Sequence, residues 1–126
     1  MSPLLDGHKR FRKNYWPRHK KRFSVLARDG QSPQAMVIAC ADSRVAPEII
    51  FDSAPGEIFV IRNVSNLVPV YAPDTGNHGT SAGLEFGVTA LGVQTIVVLG
   101  HSQCGGIRAL MQGPGGDHGD FIESWM

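Results

Sequence analysis

Three short apolar runs stand out along the second part of the chain. They occupy residues 35–39 (AMVIA), 58–61 (IFVI) and 95–99 (TIVVL). The first run is apolar at every position, which is typical of a strand buried on both faces of a sheet. We therefore predict three strands, with the first of them fully buried.

Helix signals occupy the segments around these runs. Apolar residues among the bases of 4–28 predict a helical segment, which Pro17 divides into two helices. A short helix is predicted to open at Pro47, because proline is tolerated in the first turn of a helix. Another helix is predicted over 105–111, directly after the third apolar run.

Capping residues set the predicted ends of two further helices. Thr80 or Ser81 can cap a helix that ends at Gly92, since a hydroxyl satisfies free N–H groups and glycine accepts the terminal backbone conformation. Asp120 can cap a last helix over 121–125, which carries an apolar face.

The alternation of apolar strands with helices predicts an α/β fold. We expect a parallel, doubly wound core sheet flanked by helices, with an N-terminal helical arm over residues 1–30 and one α/β domain over 31–126. In such sheets ligands bind beyond the carboxyl ends of the strands. The functional residues should therefore follow the strands directly.

Composition fits a single small domain. The chain has 126 residues, of which 42% are hydrophobic and 18% charged. The chain has no run of about 18 apolar residues, the length needed to span a membrane, and its N-terminus lacks the apolar core of a signal peptide. These features predict a cytoplasmic protein with reduced cysteines.

Charge is divided unevenly along the chain. Residues 1–28 hold nine Lys/Arg and one acid, whereas residues 29–126 hold three Lys/Arg and ten acids. A basic arm beside an acidic body predicts that the arm docks on its own body or on a partner subunit. No nucleic-acid recognition motif accompanies the bases, so no nucleic-acid partner is expected.

Both cysteines of the chain lie in short segments that follow apolar runs. Cys40 follows the first run, and Cys104 lies shortly after the third, three residues beyond His101. Two thiolates and one imidazole suit a zinc ion. Asp42 is either the fourth ligand or the partner of Arg44, in which case water takes the fourth position. A disulfide or redox pair, and two unrelated buried cysteines, are the alternatives.

The neighbours of these ligands suit catalysis at an open zinc. Arg44 would keep the Asp42 carboxylate ionised, and zinc would lower the pKa of bound water from about 15.7 to about 7. The backbone N–H groups of Gly105 and Gly106 could bind a developing anion. The remaining histidines lie in polar stretches and are predicted to be solvated: His8, His19, His78 and His118. Among these, His78 is the candidate for lining the site.

Several segments resemble β-class carbonic anhydrases, over roughly residues 20–126. They are Cys40-Ala-Asp-Ser-Arg-Val45, Pro55-Gly-Glu57, Ile61-Arg-Asn63 with Asn66-Leu-Val68, Gly83-Leu-Glu-Phe86, and Gly100-His-Ser-Gln-Cys-Gly-Gly-Ile107. The resemblance implies a lyase, carbonate dehydratase, that catalyses CO2 + H2O ⇌ HCO3⁻ + H⁺ by attack of zinc hydroxide. It also implies a homodimer or a higher even-numbered homo-oligomer, with the arm laid over the partner.

The resemblance also implies roles for individual residues. One zinc ion per chain would be held by Cys40, His101 and Cys104, with Asp42 and Arg44 as the catalytic dyad. The remaining positions are expected to bind substrate: Gly105 through its amide, Phe59 and Val64 in the CO2 pocket, Phe86 where plant-like members often carry tyrosine, and Gln31 in the neighbouring subunit's site.

Departures from the family pattern leave two alternatives open. Family chains continue with a further strand pair and C-terminal helices, so we expect a truncated form of the fold, which could be a catalytically impaired zinc-binding protein. A carbonyl sulfide or carbon disulfide hydrolase would carry the same ligands and dyad. Val37 and Ala39 replace the Trp and Gly of the bicarbonate-inhibited subgroup, so we predict an open zinc near neutral pH.

Overall fold

The computed structural model describes residues 2–113 and 119–126. It divides the chain into two compact units, Met1–Ser32 and Pro33–Met126. His118, which was predicted to be solvated, lies outside the described residues. No helix in the described part of the chain is both long and apolar enough to cross a membrane.

The N-terminal unit is helical. Helix α1 (Pro3–Arg10) passes through a π-helical turn (Phe11–Tyr15) into α2 (Trp16–Asp29). The predicted break at Pro17 is wrong, because Pro17 lies in the first turn of α2, where its missing N–H costs no hydrogen bond. The interruption lies in the π turn instead, which ends with the Trp16 N–H donating to the Phe11 carbonyl.

Aromatic rings cluster on the α1–α2 segment of this unit. Phe11 and Tyr15 stack at 5.6 Å between ring centroids, and Trp16 and Phe23 lie 5.1 Å apart. Tyr15 also stacks on His19 at 3.9 Å. The apolar residues predicted among the bases of this segment therefore form contacts along the helix itself.

The second unit is built on three parallel strands, as the sequence predicted. Strand β1 (Ala35–Cys40) lies between β2 (Ile58–Asn63) and β3 (Thr95–Leu99). The prediction that β1 is buried is also confirmed, since the side chains over residues 36–39 are at most 1% exposed. The register pairs Cys40 with Asn63, and Ala39 with Leu99, so all three strands end at one edge.

Helices follow the strands in this unit. They are α3 (Pro47–Ile50), α4 (Gly79–Glu85) with a π turn after it (Phe86–Ala90), α5 (Gly105–Gln112) and α6 (Ile122–Trp125). A 3₁₀ turn (Ser43–Val45) begins three residues after β1 ends, and a second (Val64–Asn66) directly follows β2. The predicted alternation of strands and helices, and with it the α/β fold class, is confirmed.

Both predicted side-chain caps are wrong. Helix α4 begins at Gly79 with His78 in the cap position, so Thr80 and Ser81 lie inside the helix, and the Thr80 hydroxyl accepts a hydrogen bond from Asn63 Nδ2 at 3.1 Å. Helix α6 is preceded by Phe121 in the cap position, so Asp120 lies one residue too early to cap it. Tertiary contacts and a one-residue shift overrode the local signals.

The burial of β1 predicts a large effect of truncating Ile38. Ile38→Ala should lower the free energy of unfolding by about 2–5 kcal/mol, because the side chain is fully buried and a cavity would remain. Ile49→Ala is the matched control, since Ile49 is 79% exposed and its truncation should cost below about 0.5 kcal/mol. Urea unfolding of both variants checks this, and equal midpoints would contradict it.

Candidate metal centre

Three ligand-type side chains converge where β1 and β3 end. Cys40 is the last residue of β1, Cys104 is the N-cap residue of α5, and His101 lies in the loop between β3 and α5. The ligand atoms of the three lie within 4.8 Å of one another. Both cysteines are buried and His101 is half-buried, so the cluster is sheltered from solvent.

The spacing of the two sulfurs fits zinc. The Sγ atoms of Cys40 and Cys104 are 3.9 Å apart. A tetrahedral zinc with Zn–S bonds of about 2.3 Å holds its two sulfurs about 3.8 Å apart. Both cysteines are free thiols, and a disulfide would need about 2.05 Å. The two sulfurs are therefore not bonded to each other in this structure, and their convergence with His101 shows that the alternative of two unrelated cysteines is wrong. The alternative of a redox pair stays a prediction.

His101 presents a ring nitrogen suited to a metal. Its Nε2 is buried and has no hydrogen-bond partner among the described residues. Its Nδ1 lies 3.0 Å from the Ser102 carbonyl, which can accept a hydrogen bond from the Nδ1–H group. Donation from Nδ1 leaves the Nε2 lone pair free, the form in which imidazole binds a metal. Because a buried polar atom without a partner is costly, a metal ion would remove this penalty.

The surroundings of Cys104 favour its thiolate. Burial raises the pKa of this thiol, but hydrogen bonds with the Ile107 backbone, the Ser65 side chain and Cys40 outweigh burial and lower the pKa to about 7. Since a metal binds the thiolate, a pKa near neutrality prepares Cys104 as a ligand.

Asp42 pairs with Arg44 and is not among the clustered ligands. Arg44 Nε and Nη2 donate to the two carboxylate oxygens of Asp42 at 2.9 and 2.8 Å, and the Arg44 backbone N–H donates to Oδ1 at 2.9 Å. The side-chain and backbone hydrogen bonds of Arg44 hold the pKa of Asp42 well below its usual range. The carboxylate is thus ionised and held in one orientation beside the cluster.

Arg44 also reaches the loop that carries His101. Its Nη2 donates to the Gln103 carbonyl at 3.4 Å and lies 3.2 Å from His101 Nδ1, with which it makes no hydrogen bond while Nδ1 itself donates to Ser102. One guanidinium therefore contacts both the Asp42 carboxylate and the loop after β3. Arg44 thus connects the Asp42–Arg44 dyad to the ligand cluster.

Arg62 is a further site residue that the sequence analysis missed. It donates from Nε to the Cys40 carbonyl at 3.0 Å and from Nη2 to the Asp42 carbonyl at 2.6 Å. These bonds fix the backbone between the first ligand and the dyad. The signal in the sequence that could have identified it is a single charged residue directly after the apolar run 58–61.

The residues predicted to bind substrate fall in different places. Gly105 opens α5 beside Cys104, and Val64 follows β2 at the same edge of the sheet. Phe59 and Phe86 contact each other, with ring centroids 5.9 Å apart. Gln31 is exposed in the N-terminal unit.

The Phe59–Phe86 pair does not meet the ligand cluster within one chain. Phe59 pairs with Met36, four residues before the pair of Asn63 and Cys40. Four residues of strand span about 13 Å. These two rings therefore lie toward the opposite end of the sheet from the cluster of their own chain.

The ion pair predicts an unusual titration of Asp42. The pKa of the Asp42 carboxyl should lie below the ordinary aspartate value of about 3.9. Because the folded pKa is depressed, the stabilisation by this pair is present above about pH 4 and is lost as the pH falls through the folded pKa. Carbon-13 NMR of the side-chain carboxyl measures this. Arg44→Gln is the control, in which the pKa of Asp42 should return toward its ordinary value; an unchanged titration in that variant would contradict the assignment.

Comparison with known proteins agrees with this geometry. The family model for carbonic anhydrase matches residues 35–126. A carbonic anhydrase of Pseudomonas aeruginosa is 47% identical over 110 residues, which cover 87% of this chain and 49% of that protein. Beta carbonic anhydrase 6, mitochondrial, of Arabidopsis thaliana is 50% identical over 118 residues, covering 91% of this chain and 39% of that protein. The chain thus spans about half or less of the length of these relatives.

Solved structures share the fold. One of two tetrameric β-carbonic anhydrases of Sordaria macrospora superposes with a TM-score of 0.80 at 31% identity, covering 97% of this chain and 58% of that chain. A carbon disulfide hydrolase superposes with a TM-score of 0.53 at 21% identity, covering 76% of this chain and 46% of that chain, and shows likeness of fold alone. The family match, the identities and the shared fold together show that this chain belongs to the β-class carbonic anhydrase family.

Proposed function

We propose that this chain binds one zinc ion through Cys40, His101 and Cys104 and catalyses the reversible hydration of CO2 to bicarbonate. The observation that carries the proposal is the buried Cys–His–Cys cluster, with its unpartnered His101 Nε2, beside the ionised Asp42. When bound, zinc lowers the pKa of a water molecule toward about 7 and so supplies a nucleophile at neutral pH.

Asp42 orients the nucleophile in this proposal. Oδ1 already accepts two hydrogen bonds from Arg44 and Oδ2 accepts one, so Oδ2 keeps a further lone pair. The free lone pair of Asp42 accepts a hydrogen bond from the hydroxyl group that attacks CO2. This hydrogen bond aims the oxygen of that group at the carbon of CO2. Because Arg44 keeps the carboxylate ionised, Asp42 stays an acceptor throughout the neutral range.

Gly105 binds the charge that develops on CO2. It is the first residue of α5, whose initial N–H groups have no acceptor within the helix. An N–H at this position donates to the oxygen that becomes negative as the new C–O bond forms, and the helix dipole favours that charge. Apart from its chain neighbours and its own helix, no heavy atom lies within 4 Å of a Cβ added at Gly105, so no other side chain covers that side of the residue.

A second copy of the chain would complete the pocket. Phe59 and Phe86 lie toward the far end of the sheet from their own cluster, so they can line a CO2 pocket only in another subunit. Gln31, exposed in the N-terminal unit, is proposed to enter a neighbouring site as well. The tetrameric relative supports a homodimer or a higher even-numbered assembly.

The domain boundary at residues 30/31 and a cytoplasmic location stay predictions, and one named relative is mitochondrial.

CO2 is favoured over its sulfur analogues. The relatives that are 47% and 50% identical are both named carbonic anhydrases, whereas the carbon disulfide hydrolase shares 21% identity and the fold alone. The same ligands and dyad would serve either substrate. The substrate is therefore proposed from the relatives, and the zinc site from the geometry.

Metal content tests the zinc site. The purified chain should hold about one zinc per chain, and Cys104→Ser should hold close to none, since one of its two thiolates is lost. His78→Ala is the control, because His78 pairs with Asp74 at 2.6 Å and is outside the cluster. Inductively coupled plasma mass spectrometry after gel filtration gives the ratio. Full zinc in Cys104→Ser would overturn the proposed ligand set.

Stopped-flow CO2 hydration at about pH 8.5, above the pKa of about 7 expected for zinc-activated water, tests the reaction. Asp42→Asn with zinc retained should lose about a hundredfold or more in kcat, because the neutral amide no longer offers an ionised acceptor. Asp52→Asn is the matched control, since Asp52 is exposed on another loop.

Other outcomes would favour the alternatives. Full activity in Asp42→Asn would remove Asp42 from the mechanism. A zinc-loaded wild-type chain without CO2 hydration would favour the non-catalytic zinc-binding protein. Faster turnover of carbonyl sulfide or carbon disulfide than of CO2 would favour the sulfur-analogue hydrolase.

A further inference from the structure

Ser65 is a fully buried polar residue with a strained backbone. It is fully buried, at 0% exposure, and its backbone has φ of 73° in the left-handed region. That conformation is unfavourable for a residue with a Cβ and is uncommon outside glycine, asparagine and aspartate. Such strain persists where the surrounding structure fixes it, and it concentrates at functional sites.

The Ser65 hydroxyl lies against a proposed zinc ligand. Its Oγ is 3.8 Å from Cys104 Sγ and 4.0 Å from Met126 Sδ. A Cβ on Gly106 would lie 1.8 Å from the same Oγ, so glycine at 106 leaves the space that the hydroxyl fills. The hydroxyl is therefore fixed beside the sulfur by the turn after β2 and by the start of α5.

The direction of this hydrogen bond depends on the state of the sulfur. In the thiol form, Cys104 donates to Ser65 Oγ, and the Ser65 hydroxyl donates to the Met126 thioether. A metal-bound thiolate has no proton to donate, so only the Ser65 hydroxyl can then donate between the two atoms. Rotation of the hydroxyl hydrogen is sufficient, and the thioether that it leaves is a weak acceptor.

We propose that Ser65 is a positioning residue for the metal centre, whose hydroxyl donates a hydrogen bond to the Cys104 thiolate when zinc is bound. The inference rests on the zinc site of the proposed function. Cys104 is 7% exposed, so solvent offers its sulfur few donors, and a protein donor stabilises the negative charge that zinc binding places there. Groups that hydrogen-bond to metal ligands commonly set affinity and the electronic character of the metal.

Two substitutions separate the hydroxyl from the backbone. Ser65→Ala removes the hydroxyl and keeps the Cβ with its strained φ, whereas Ser65→Gly removes the hydroxyl and relieves the strain. Ser53→Ala is the control, because the Ser53 hydroxyl is also buried but has no hydrogen-bond partner among the described residues. Thermal unfolding of each variant reports on the fold independently of the metal.

Zinc affinity, measured by competition with a chromophoric chelator, should fall about tenfold in Ser65→Ala and in Ser65→Gly and stay unchanged in Ser53→Ala. In the cobalt(II)-substituted protein, the thiolate-to-cobalt charge-transfer band should move to longer wavelength in both Ser65 variants. The reason is that a sulfur without its hydrogen bond gives up an electron more easily. A merely structural role of Ser65 would not move this band.

The outcomes distinguish this inference from the proposed function. A wild-type chain that binds no zinc would overturn both. Zinc binding by the wild type with unchanged affinity in Ser65→Ala would overturn the role of Ser65 alone. Weaker affinity with an unmoved cobalt band would do the same, because packing and not the hydrogen bond would then account for the loss.

Discussion

Parallel pairing of β1 with both of its neighbours is the constraint on which the site depends. Because all three strands run in one direction, their carboxyl ends meet at one edge, which brings Cys40 beside the loop that carries His101 and Cys104. The two cysteines are 64 residues apart in the chain, and no local structure could join them. Since β1 is buried on both faces, a one-residue slip would move each side chain into packing formed around a different residue, which disfavours any other register.

Arg44 matters through orientation more than through the strength of its charge. Its side chain is 53% exposed, and an ion pair in that setting contributes little to stability. Its pKa is raised mainly by the Asp42 hydrogen bonds and charge, but Cys104 and Cys40 raise it as well, so the same cation interacts with carboxylate and sulfurs. By holding Asp42 outside the cluster, Arg44 leaves three ligand-type side chains together, a donor set that would keep a fourth position for water on the zinc ion of the proposed function.

The sequence predicted the strands and the converging ligands because both follow from patterns along the chain: continuous apolar runs, and ligand residues directly after them. It failed where tertiary contacts decide. Thr80 contacts Asn63 instead of capping α4, and the helix passes Pro17 after a π turn. Ser65 gave no signal, since nothing in a serine announces a positive φ. The offset of Phe59 from the cluster could be read only from the strand register.

The turn after β2 shows how the fold supports the chemistry at this edge. Ser65 and Asn66 are consecutive residues with positive φ, of 73° and 49°, an arrangement that costs free energy in isolation. Hydrogen bonds from the Trp125 indole to the Val64 carbonyl, and between the Asn63 side chain and Leu67, hold the turn from both sides. The strained turn is thereby kept against the start of α5, where Gly106 has no side chain to displace the Ser65 hydroxyl. Backbone strain at one position thus places a hydroxyl group beside a buried sulfur.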